Sequence, residues 1–334
     1  SILRDVLTAR RRFSIGLLVT FLARTILDAH RVKPRVKATA IGPVRYHWVI
    51  PSALLRNDCP VTKPSETSQI FGTPARPLLI LDLANNHNGS VAHGKAIIDS
   101  AAEALSGIDF PAAIKFQYRD LDTLIHPDYK GNYDFKYIKR FEETRISDDE
   151  YLELVEHSRE SGFLTACTPF DENSVQKVVD HGFDILKIAS ACATDWPLLT
   201  EVANRDLPVI VSTGGLSIKE TDRVAAFLSK RLDAFALMHC VAIYPTPDDQ
   251  LALNRIDVLR NRYKGVTIGY STHEDPRNVV AGGLALAKGA HILERHVGLA
   301  AEGMAVNGYS SQAAELKAWA TRLQEAASMM SGMD

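Results

Sequence analysis

The chain has 334 residues, 46% of them hydrophobic and 23% charged, and a formal net charge of -2. This composition is typical of a globular protein with an ample core. No stretch approaches the roughly 18 to 20 apolar residues needed to cross a bilayer, so the sequence excludes an integral membrane protein.

Charge is distributed unevenly along the chain. Residues 1–75 hold 12 Lys and Arg against 4 Asp and Glu, whereas the rest holds 26 against 36. The acidic remainder argues against a nucleic-acid-binding surface there. An anionic substrate must therefore be bound by cations placed locally in its site.

The N-terminal 77 residues differ from the rest in character. Three arginines at 10–12 precede the apolar run 14–23, as in a twin-arginine export signal. No small-residue cleavage site follows closely and Arg24 interrupts the run, so a basic extension, non-native or poorly ordered, is the favoured interpretation. Residues 60–77 contain four prolines and are typical of a linker. We predict an extension and linker at 1–77 and one large domain at 78–330.

Residues 78–330 alternate short aliphatic runs with longer amphipathic segments, the pattern of a parallel sheet covered by helices. Eight strand–helix pairs of this size indicate a TIM barrel, an α/β fold whose strand ends open on one face. The predicted strands lie at 78–84, 113–118, 163–168, 185–189, 208–212, 234–239, 266–270 and 291–296. The predicted helices lie at 94–105, 148–161, 173–180, 197–204, 219–232, 255–263, 277–288 and 312–329.

The main structural alternative is a doubly wound open sheet. Such a sheet normally carries a glycine-rich dinucleotide turn after its first strand. Here that position reads Asn85-Asn86-His87-Asn88-Gly89. Polar residues also end nearly every predicted strand, as expected for a barrel.

These strand ends carry side chains suited to a phosphorylated anion beside a metal ion. Lys115 and Lys187 supply positive charge, and the Gly-Gly turn after Ser212 supplies hydrogen-bond donors. His239 and His273 are neutral imidazoles that can bind a divalent metal. Each residue alone is more often structural, but their occurrence together at one end of the barrel favours a site.

Four cysteines lack any metal-ligand spacing. Cys59, Cys167, Cys192 and Cys240 are far apart in the chain, and three lie in or just after strand-like runs. They predict reduced, buried thiols in a cytoplasmic protein.

The strand-end motifs, in this order, resemble those of the sialic acid synthases, enzymes that condense phosphoenolpyruvate with an amino-sugar aldehyde. The resemblance covers the barrel from residue 78 to about 316. Its motifs are Asn86-His87-Asn88-Gly89, Lys115-Phe116-Gln117, Thr168-Pro169-Phe170-Asp171, Lys187-Ile188-Ala189-Ser190, Ser212-Thr213-Gly214, His239-Cys240, Tyr244-Pro245-Thr246-Pro247, Gly269-Tyr270-Ser271-Thr272-His273 and Glu294-Arg295-His296.

The resemblance implies a role for each matched residue. His239 and His273 would bind a divalent metal, Mn²⁺ or Mg²⁺, and Gln117 would reach the acceptor sugar. Asn86 and Tyr244 are expected to contact substrate. Asp82, Lys115, Gln117 and Lys187 are expected to act in catalysis. The residues expected to hold phosphoenolpyruvate are Lys115, Thr168, Lys187, Ser190 and Ser212.

The implied reaction is metal-dependent. The metal polarises the aldehyde oxygen as a Lewis acid, carbon 3 of phosphoenolpyruvate attacks the aldehyde, water adds at carbon 2 and phosphate leaves by C–O cleavage. The lysines offset the substrate's negative charge. The product is a 3-deoxy-2-ulosonic, sialic-acid-like acid for surface polysaccharide, made from phosphoenolpyruvate and an aldose by a homodimer.

Departures from the family pattern concern the acceptor side. Asp82 stands where the family usually has glutamate, Thr272 replaces an aspartate, and Val297 begins a run that lacks another aspartate. A C-terminal antifreeze-like domain is not expected within the sequence, which ends at Asp334. The sequence therefore predicts the phosphoenolpyruvate side better than the sugar side.

Residues 119–145 form a long connection between the second and third strands. The segment is rich in tyrosine and cations, so we expect a lid or acceptor-binding loop suited to an acidic or phosphorylated acceptor.

Two other functions are compatible with the residues. Lys187 or Lys115 could form a Schiff base in a metal-independent aldolase. Alternatively, the changes at Asp82 and Thr272 fit an impaired synthase relative that acts as a binding or assembly protein.

Overall fold

The computed structural model of the chain describes residues 70–331. The predicted basic extension and Cys59 lie within residues 1–69, outside the described residues. Within 70–331, no helix is both long and apolar enough to traverse a membrane. Cys167, Cys192 and Cys240 are free thiols.

The described residues form a closed parallel barrel, which confirms the predicted TIM-barrel fold. Each strand pairs with its successor, and the last strand pairs with the first through Leu78 opposite Ile292. All eight predicted strands are present, with bounds that differ by at most two residues. They are β2 Arg76–Asp82, β3 Ala112–Tyr118, β4 Leu164–Pro169, β5 Ile185–Ile188, β6 Val209–Ser212, β7 Phe235–Cys240, β8 Thr267–Ser271 and β9 Ile292–Val297.

Two short strands extend this barrel. β1 (Gly72–Thr73) pairs antiparallel with β2, and β10 (Ser310–Ser311) pairs parallel with the end of β9. Phe71, next to β1, is fully buried in the barrel's inner core. Residues in the 70–77 segment therefore pack with the barrel strands.

Helices connect the strands and cover the barrel. The eight predicted helices are all present, and two further short helices, α2 and α3, lie in the long 119–145 connection. The helices are α1 Val91–Ala104, α2 Leu121–Leu124, α3 Lys136–Glu143, α4 Asp148–Glu160, α5 Glu172–Asp180, α6 Trp196–Ala203, α7 Ile218–Leu228, α8 Asn254–Arg262, α9 Val280–Ala287 and α10 Ala313–Met330.

Local sequence determines where several helices begin. Ser147 precedes α4, and its hydroxyl accepts a hydrogen bond from the Glu150 N–H while the Glu150 carboxylate accepts one from the Ser147 N–H. Ser217 and Glu220 form the same capping box before α7. Such caps stabilise a helix by about 1 kcal/mol and fix its first residue.

Side chains along each strand alternate between the barrel axis and the surrounding helices. The inner core includes Ile80 on β2 and Ile185 on β5. Two residues further along, at the carboxyl ends, Asp82 and Lys187 face the same axis. The barrel interior is thus apolar at its base and charged at its mouth.

Candidate active site

Two lysines and two carboxylates form a buried cluster at the mouth of the barrel. The Lys115 ammonium lies 2.6 Å from Asp82 Oδ2 and 3.6 Å from Glu294 Oε1. The Lys187 ammonium lies 3.0 Å from Glu294 Oε2. All four side chains are at most 4% exposed. The predicted lysines therefore do converge, and they are balanced by two acids.

Hydroxyl groups surround this cluster at the predicted positions. Lys187 donates to Ser212 Oγ at 2.7 Å, and Lys115 to Thr168 Oγ1 at 3.3 Å. Ser190 Oγ accepts from the Gly214 N–H at 2.9 Å. A Cβ at Gly214 would lie 2.9 Å from Ser190 Oγ and 3.2 Å from the Cys240 carbonyl oxygen, so only glycine fits without rearrangement.

The acids are ionised despite their burial. Burial alone would raise the pKa of Asp82, but the charge of Lys115 outweighs it and lowers the pKa to about 2. Burial likewise opposes ionisation of Glu294, and the two lysines outweigh it, so its pKa is also lowered. Burial would lower the pKa of Lys115, yet Asp82 and Glu294 raise it. The cluster holds four charges that sum to zero.

Glu294 is the main residue missed by the sequence interpretation. It stands in a matched motif but was given no role, because a motif match alone does not say which of its residues faces inward. Alternation supplies that signal: Ile292 lies in the inner core, so Glu294, two residues later, faces the axis. Ser271 also donates to its Oε1 at 3.2 Å.

Gln117 links the charged cluster to the acceptor side of the mouth. Its amide NH₂ donates to Asp82 Oδ2 at 3.1 Å, and its Oε1 accepts from Arg119 at 2.6 Å. Asn86 has a different position. Its amide donates to the Val297 carbonyl oxygen at 2.7 Å and to Ser310 at 3.1 Å, so it anchors the segment after β9.

Aromatic rings line another side of the mouth. Tyr244, predicted to contact substrate, lies 4.2 Å from His273 and 5.4 Å from Tyr309 between ring centroids. His296 lies 5.1 Å from Tyr309 and 5.3 Å from His273. Neither Tyr309 nor His296 was assigned a role from the sequence. Residue 309 lies in a segment without a recognisable motif, and His296 stands in a matched motif whose individual residues were not assigned. Such rings can stack on the apolar face of a sugar.

The two predicted metal ligands lie on different faces of the barrel wall. Met238 belongs to the inner core, so His239 points toward the helices, where its ring stacks on Tyr270 and its Nε2–H donates to the Leu251 carbonyl oxygen at 2.8 Å. His273 instead lies by the mouth. A metal shared by His239 and His273 would need both rings to face the mouth of the barrel. His239 faces the helices instead, so the two rings do not meet there.

The described residues fit a metal only in part. Within 70–331, no group of three or more His, Cys, Asp and Glu side chains has the arrangement of a metal site. His273 is neutral, because burial lowers its pKa to about 3. His296 Nδ1 is buried without a hydrogen-bond partner in the described structure, and Nε2 lies 3.5 Å from Asp82. These two imidazoles, rather than His239, are the available nitrogen ligands.

The sequence of the barrel matches a known family. The NeuB family model matches residues 97–334. The chain belongs to the NeuB family.

Curated relatives share the barrel region. The chain is 33% identical to N-acetylneuraminate-9-phosphate synthase from Drosophila melanogaster over 65% of its own length and 59% of the relative. It is 28% identical to N,N'-diacetyllegionaminic acid synthase from Campylobacter jejuni, covering 66% of this chain and 67% of the relative. The NeuB-family chain thus spans about three fifths of the length of the Drosophila relative.

Solved structures agree with the NeuB assignment. Spore coat polysaccharide biosynthesis protein E from Chromobacterium violaceum is 46% identical with a TM-score of 0.76, covering 78% of this chain and 77% of that one. N-acetylneuraminic acid synthetase from Leptospira borgpetersenii, solved with citrate, is 27% identical with a TM-score of 0.68, covering 78% and 86%.

His87, which follows β2 near the barrel mouth, makes the free energy of unfolding sensitive to acid. It is fully buried, its Nδ1 accepts from the Gly89 N–H at 3.2 Å, and burial lowers its pKa to about 4. The unfolded chain binds this proton near pH 6.5, so the contribution is complete above 6.5 and is lost as pH falls toward 4. We expect His87 to account for a loss of about 2 kcal/mol between pH 7 and pH 5.

The measurement is urea unfolding at both pH values for the wild type and for His87→Asn. Asparagine places an acceptor near the Nδ1 position but does not titrate. An unchanged pH dependence in the variant would show that other groups are responsible.

Proposed function

We propose that this chain condenses phosphoenolpyruvate with an aldose, giving a 3-deoxy-2-ulosonic acid and phosphate. The observation that carries the proposal is the buried cluster of two lysines and two carboxylates at the barrel mouth. The named activities of the relatives, which make sialic-acid-like sugars, support the same reaction.

The cluster is suited to a small, highly charged anion. Lys115 and Lys187 are held at one point by carboxylates, and Thr168, Ser190 and Ser212 add hydroxyl groups beside them. The phosphate and carboxylate of phosphoenolpyruvate would engage the ammonium groups that Asp82 and Glu294 hold in the free protein. Preorganised donors of this kind stabilise negative charge with little rearrangement.

The proposed chemistry begins when carbon 3 of phosphoenolpyruvate attacks the aldehyde carbon, forming the new C–C bond, and the aldehyde oxygen takes up a proton to become a hydroxyl. Water then adds at carbon 2 and loses its first proton. Phosphate departs with cleavage of its C–O bond and takes the second proton of that water, which leaves a ketone at carbon 2. Asp82 and Glu294 are ionised at neutral pH, so either carboxylate can accept the first proton of the water. Gln117 is placed to orient the acceptor, since it borders both Asp82 and the neighbouring cavity.

The test is a phosphate-release assay with phosphoenolpyruvate and a panel of amino-sugar, bacillosamine-type and neutral aldoses, with each product identified by mass. We expect release only when an aldose is present. Release without aldose, or borohydride trapping of pyruvate on a lysine, would contradict the proposal. The Schiff-base alternative already conflicts with the ion pairs of both lysines and with the raised pKa of Lys115.

The divalent metal, Mn²⁺ or Mg²⁺, remains a proposal that binding can test separately from turnover. We expect His273→Ala to weaken Mn²⁺ binding at least about tenfold, since a lost ligand removes a direct bond. We expect His239→Ala to change it less than about threefold, since that ring faces the helices. Titration followed by electron paramagnetic resonance distinguishes the two variants. The reverse order would restore the original His239 assignment.

The compartment, the oligomeric state and the use of the product can also be proposed. We propose a cytoplasmic homodimer that supplies surface polysaccharide. The free thiols of Cys167, Cys192 and Cys240 support a reducing compartment, and the spore coat polysaccharide protein among the similar structures supports the destination of the product.

A further inference from the structure

A third cation, Arg119, lies near the two lysines of the cluster and contacts two aromatic rings. The Arg119 guanidinium carbon is 4.4 Å from the ring centroid of Phe141 and 3.9 Å from that of Phe170. The two rings come from different elements, since Phe141 is in α3 and Phe170 follows β4. Two cation–π contacts fix the plane of the guanidinium and leave its edge to bind other groups.

Arg119 has no carboxylate partner within 4.0 Å among residues 70–331. Its side-chain hydrogen bonds go to two neutral amides, Gln117 Oε1 at 2.6 Å and Asn85 Oδ1 at 3.4 Å. Burial lowers the pKa of Arg119 to about 10, which still leaves it charged at neutral pH. Arg119 is partly buried, and a partly buried cation without an acid is available to bind an anionic ligand.

The two other cations that line the cavity with Arg119 are each paired with an acid. Arg145 lies 3.0 Å from Asp122, and Lys177 lies 2.9 Å from Asp148. All three cations line one polar cavity of about 240 Å³. An anion entering this cavity would therefore meet one unpaired guanidinium, that of Arg119.

Gln117 connects this cavity to the proposed reaction centre. Its NH₂ contacts Asp82 and its Oε1 contacts Arg119. The Arg119 guanidinium is thus separated from the charged cluster by one amide group and two hydrogen bonds. An aldose whose aldehyde lies at the cluster can place its far end at Arg119.

We propose that Arg119 binds an anionic group at the end of the acceptor remote from the aldehyde. The acceptor class is therefore an acidic aldose, carrying a phosphate or a carboxylate. A guanidinium fork binds either anion with two parallel hydrogen bonds. This inference rests on the proposed condensation reaction and names its second substrate more closely.

The experiment compares three acceptors of the mannosamine type: the neutral sugar, its 6-phosphate and its 6-carboxylate. We expect the wild type to prefer one acidic form by at least about tenfold in kcat/KM, and Arg119→Gln to lose that preference through a raised KM with kcat little changed. Arg119→Lys keeps the charge without the fork and should recover part of it. Arg322→Gln is the control, since that arginine is paired with Glu325 and does not line the cavity.

A wild-type enzyme that prefers the neutral aldose would overturn the inference. So would an Arg119→Gln variant whose kcat/KM falls equally for the neutral and the acidic aldoses. If no aldose is converted, the proposed reaction fails, and calorimetry with the sugar 6-phosphate and the 6-carboxylate still decides the role of Arg119. Binding that Arg119→Gln weakens at least tenfold supports the anion site. Equal binding by wild type and variant refutes it. The two acidic probes also distinguish a phosphate from a carboxylate ligand.

Discussion

Lys187→Met is expected to lower kcat/KM for phosphoenolpyruvate by about 10²- to 10³-fold, the usual loss when one preorganised donor to a developing charge is removed. Lys187 is almost fully buried and contacts both Glu294 and Ser212. Methionine fills a similar volume but supplies neither charge nor a hydrogen-bond donor. Steady-state kinetics, together with direct titration of phosphoenolpyruvate, measure the loss.

The same substitution has a cost in folding that must be separated from catalysis. Without Lys187, the Glu294 carboxylate keeps only Lys115, at 3.6 Å, and an uncompensated buried charge costs about 3–5 kcal/mol. The double variant Lys187→Met/Glu294→Gln removes both charges, so it should regain stability without regaining turnover. Full activity in the double variant would show that Lys187 has only a structural role.

A matched control is available on the surface. Lys288 forms a similar ion pair with Asp257 at 2.6 Å, but both side chains are partly exposed. Lys288→Met should change kcat/KM less than about twofold and the free energy of unfolding by less than about 1 kcal/mol.

Arg295→Met is expected to lower the free energy of unfolding by about 3–5 kcal/mol, the cost of breaking a fully buried ion pair. Arg295 donates to Glu274 Oε1 at 3.0 Å and to the carbonyl oxygens of Pro276 and Asn278. The two charged side chains are at most 1% exposed. Its guanidinium also lies 4.9 Å from the Trp319 ring, so the variant loses hydrogen bonds to the β8–α9 loop as well as charge.

Urea unfolding measures this effect, and a second change identifies its origin. Adding Glu274→Gln to Arg295→Met removes the stranded negative charge and should recover part of the stability. Arg322→Met, which breaks an exposed pair with Glu325, should cost less than about 1 kcal/mol. A loss below 1 kcal/mol for Arg295→Met would mean that the loop carbonyls and Glu274 find other partners.

The barrel could be predicted from sequence because its strands are aliphatic runs with clear polar ends. The first residue of α9 could not be predicted in this way. The helix was predicted from residue 277, but it begins at Val280, because the Asn278 side chain accepts hydrogen bonds from the N–H groups of Val280 and Ala281. A capping role for Asn278 depends on local geometry that periodicity does not reveal.

A site residue could be predicted correctly only where a functional residue type also faces the barrel axis. Lys115 and Lys187 were found because a charge at a strand end is conspicuous. His239 was placed in the mouth, although Met238 before it faces the axis and the alternation of β7 turns His239 outward. Arg119 lies at the start of the predicted acceptor-binding segment but had no role of its own, because Phe141 and Phe170, the rings that contact it, lie 22 and 51 positions further along the chain.

Because the barrel closes through β2 and β9, its mouth can form only after nearly the whole chain has been synthesised. Asp82 comes from the first barrel strand and Glu294 from the last, and Asn86 reaches the Val297 carbonyl across 211 residues. A nascent chain that has emerged only as far as β8 carries both lysines but one of the two acids. Contacts this distant in sequence form slowly, so the balanced charge at the mouth is completed only when the last strand joins the first.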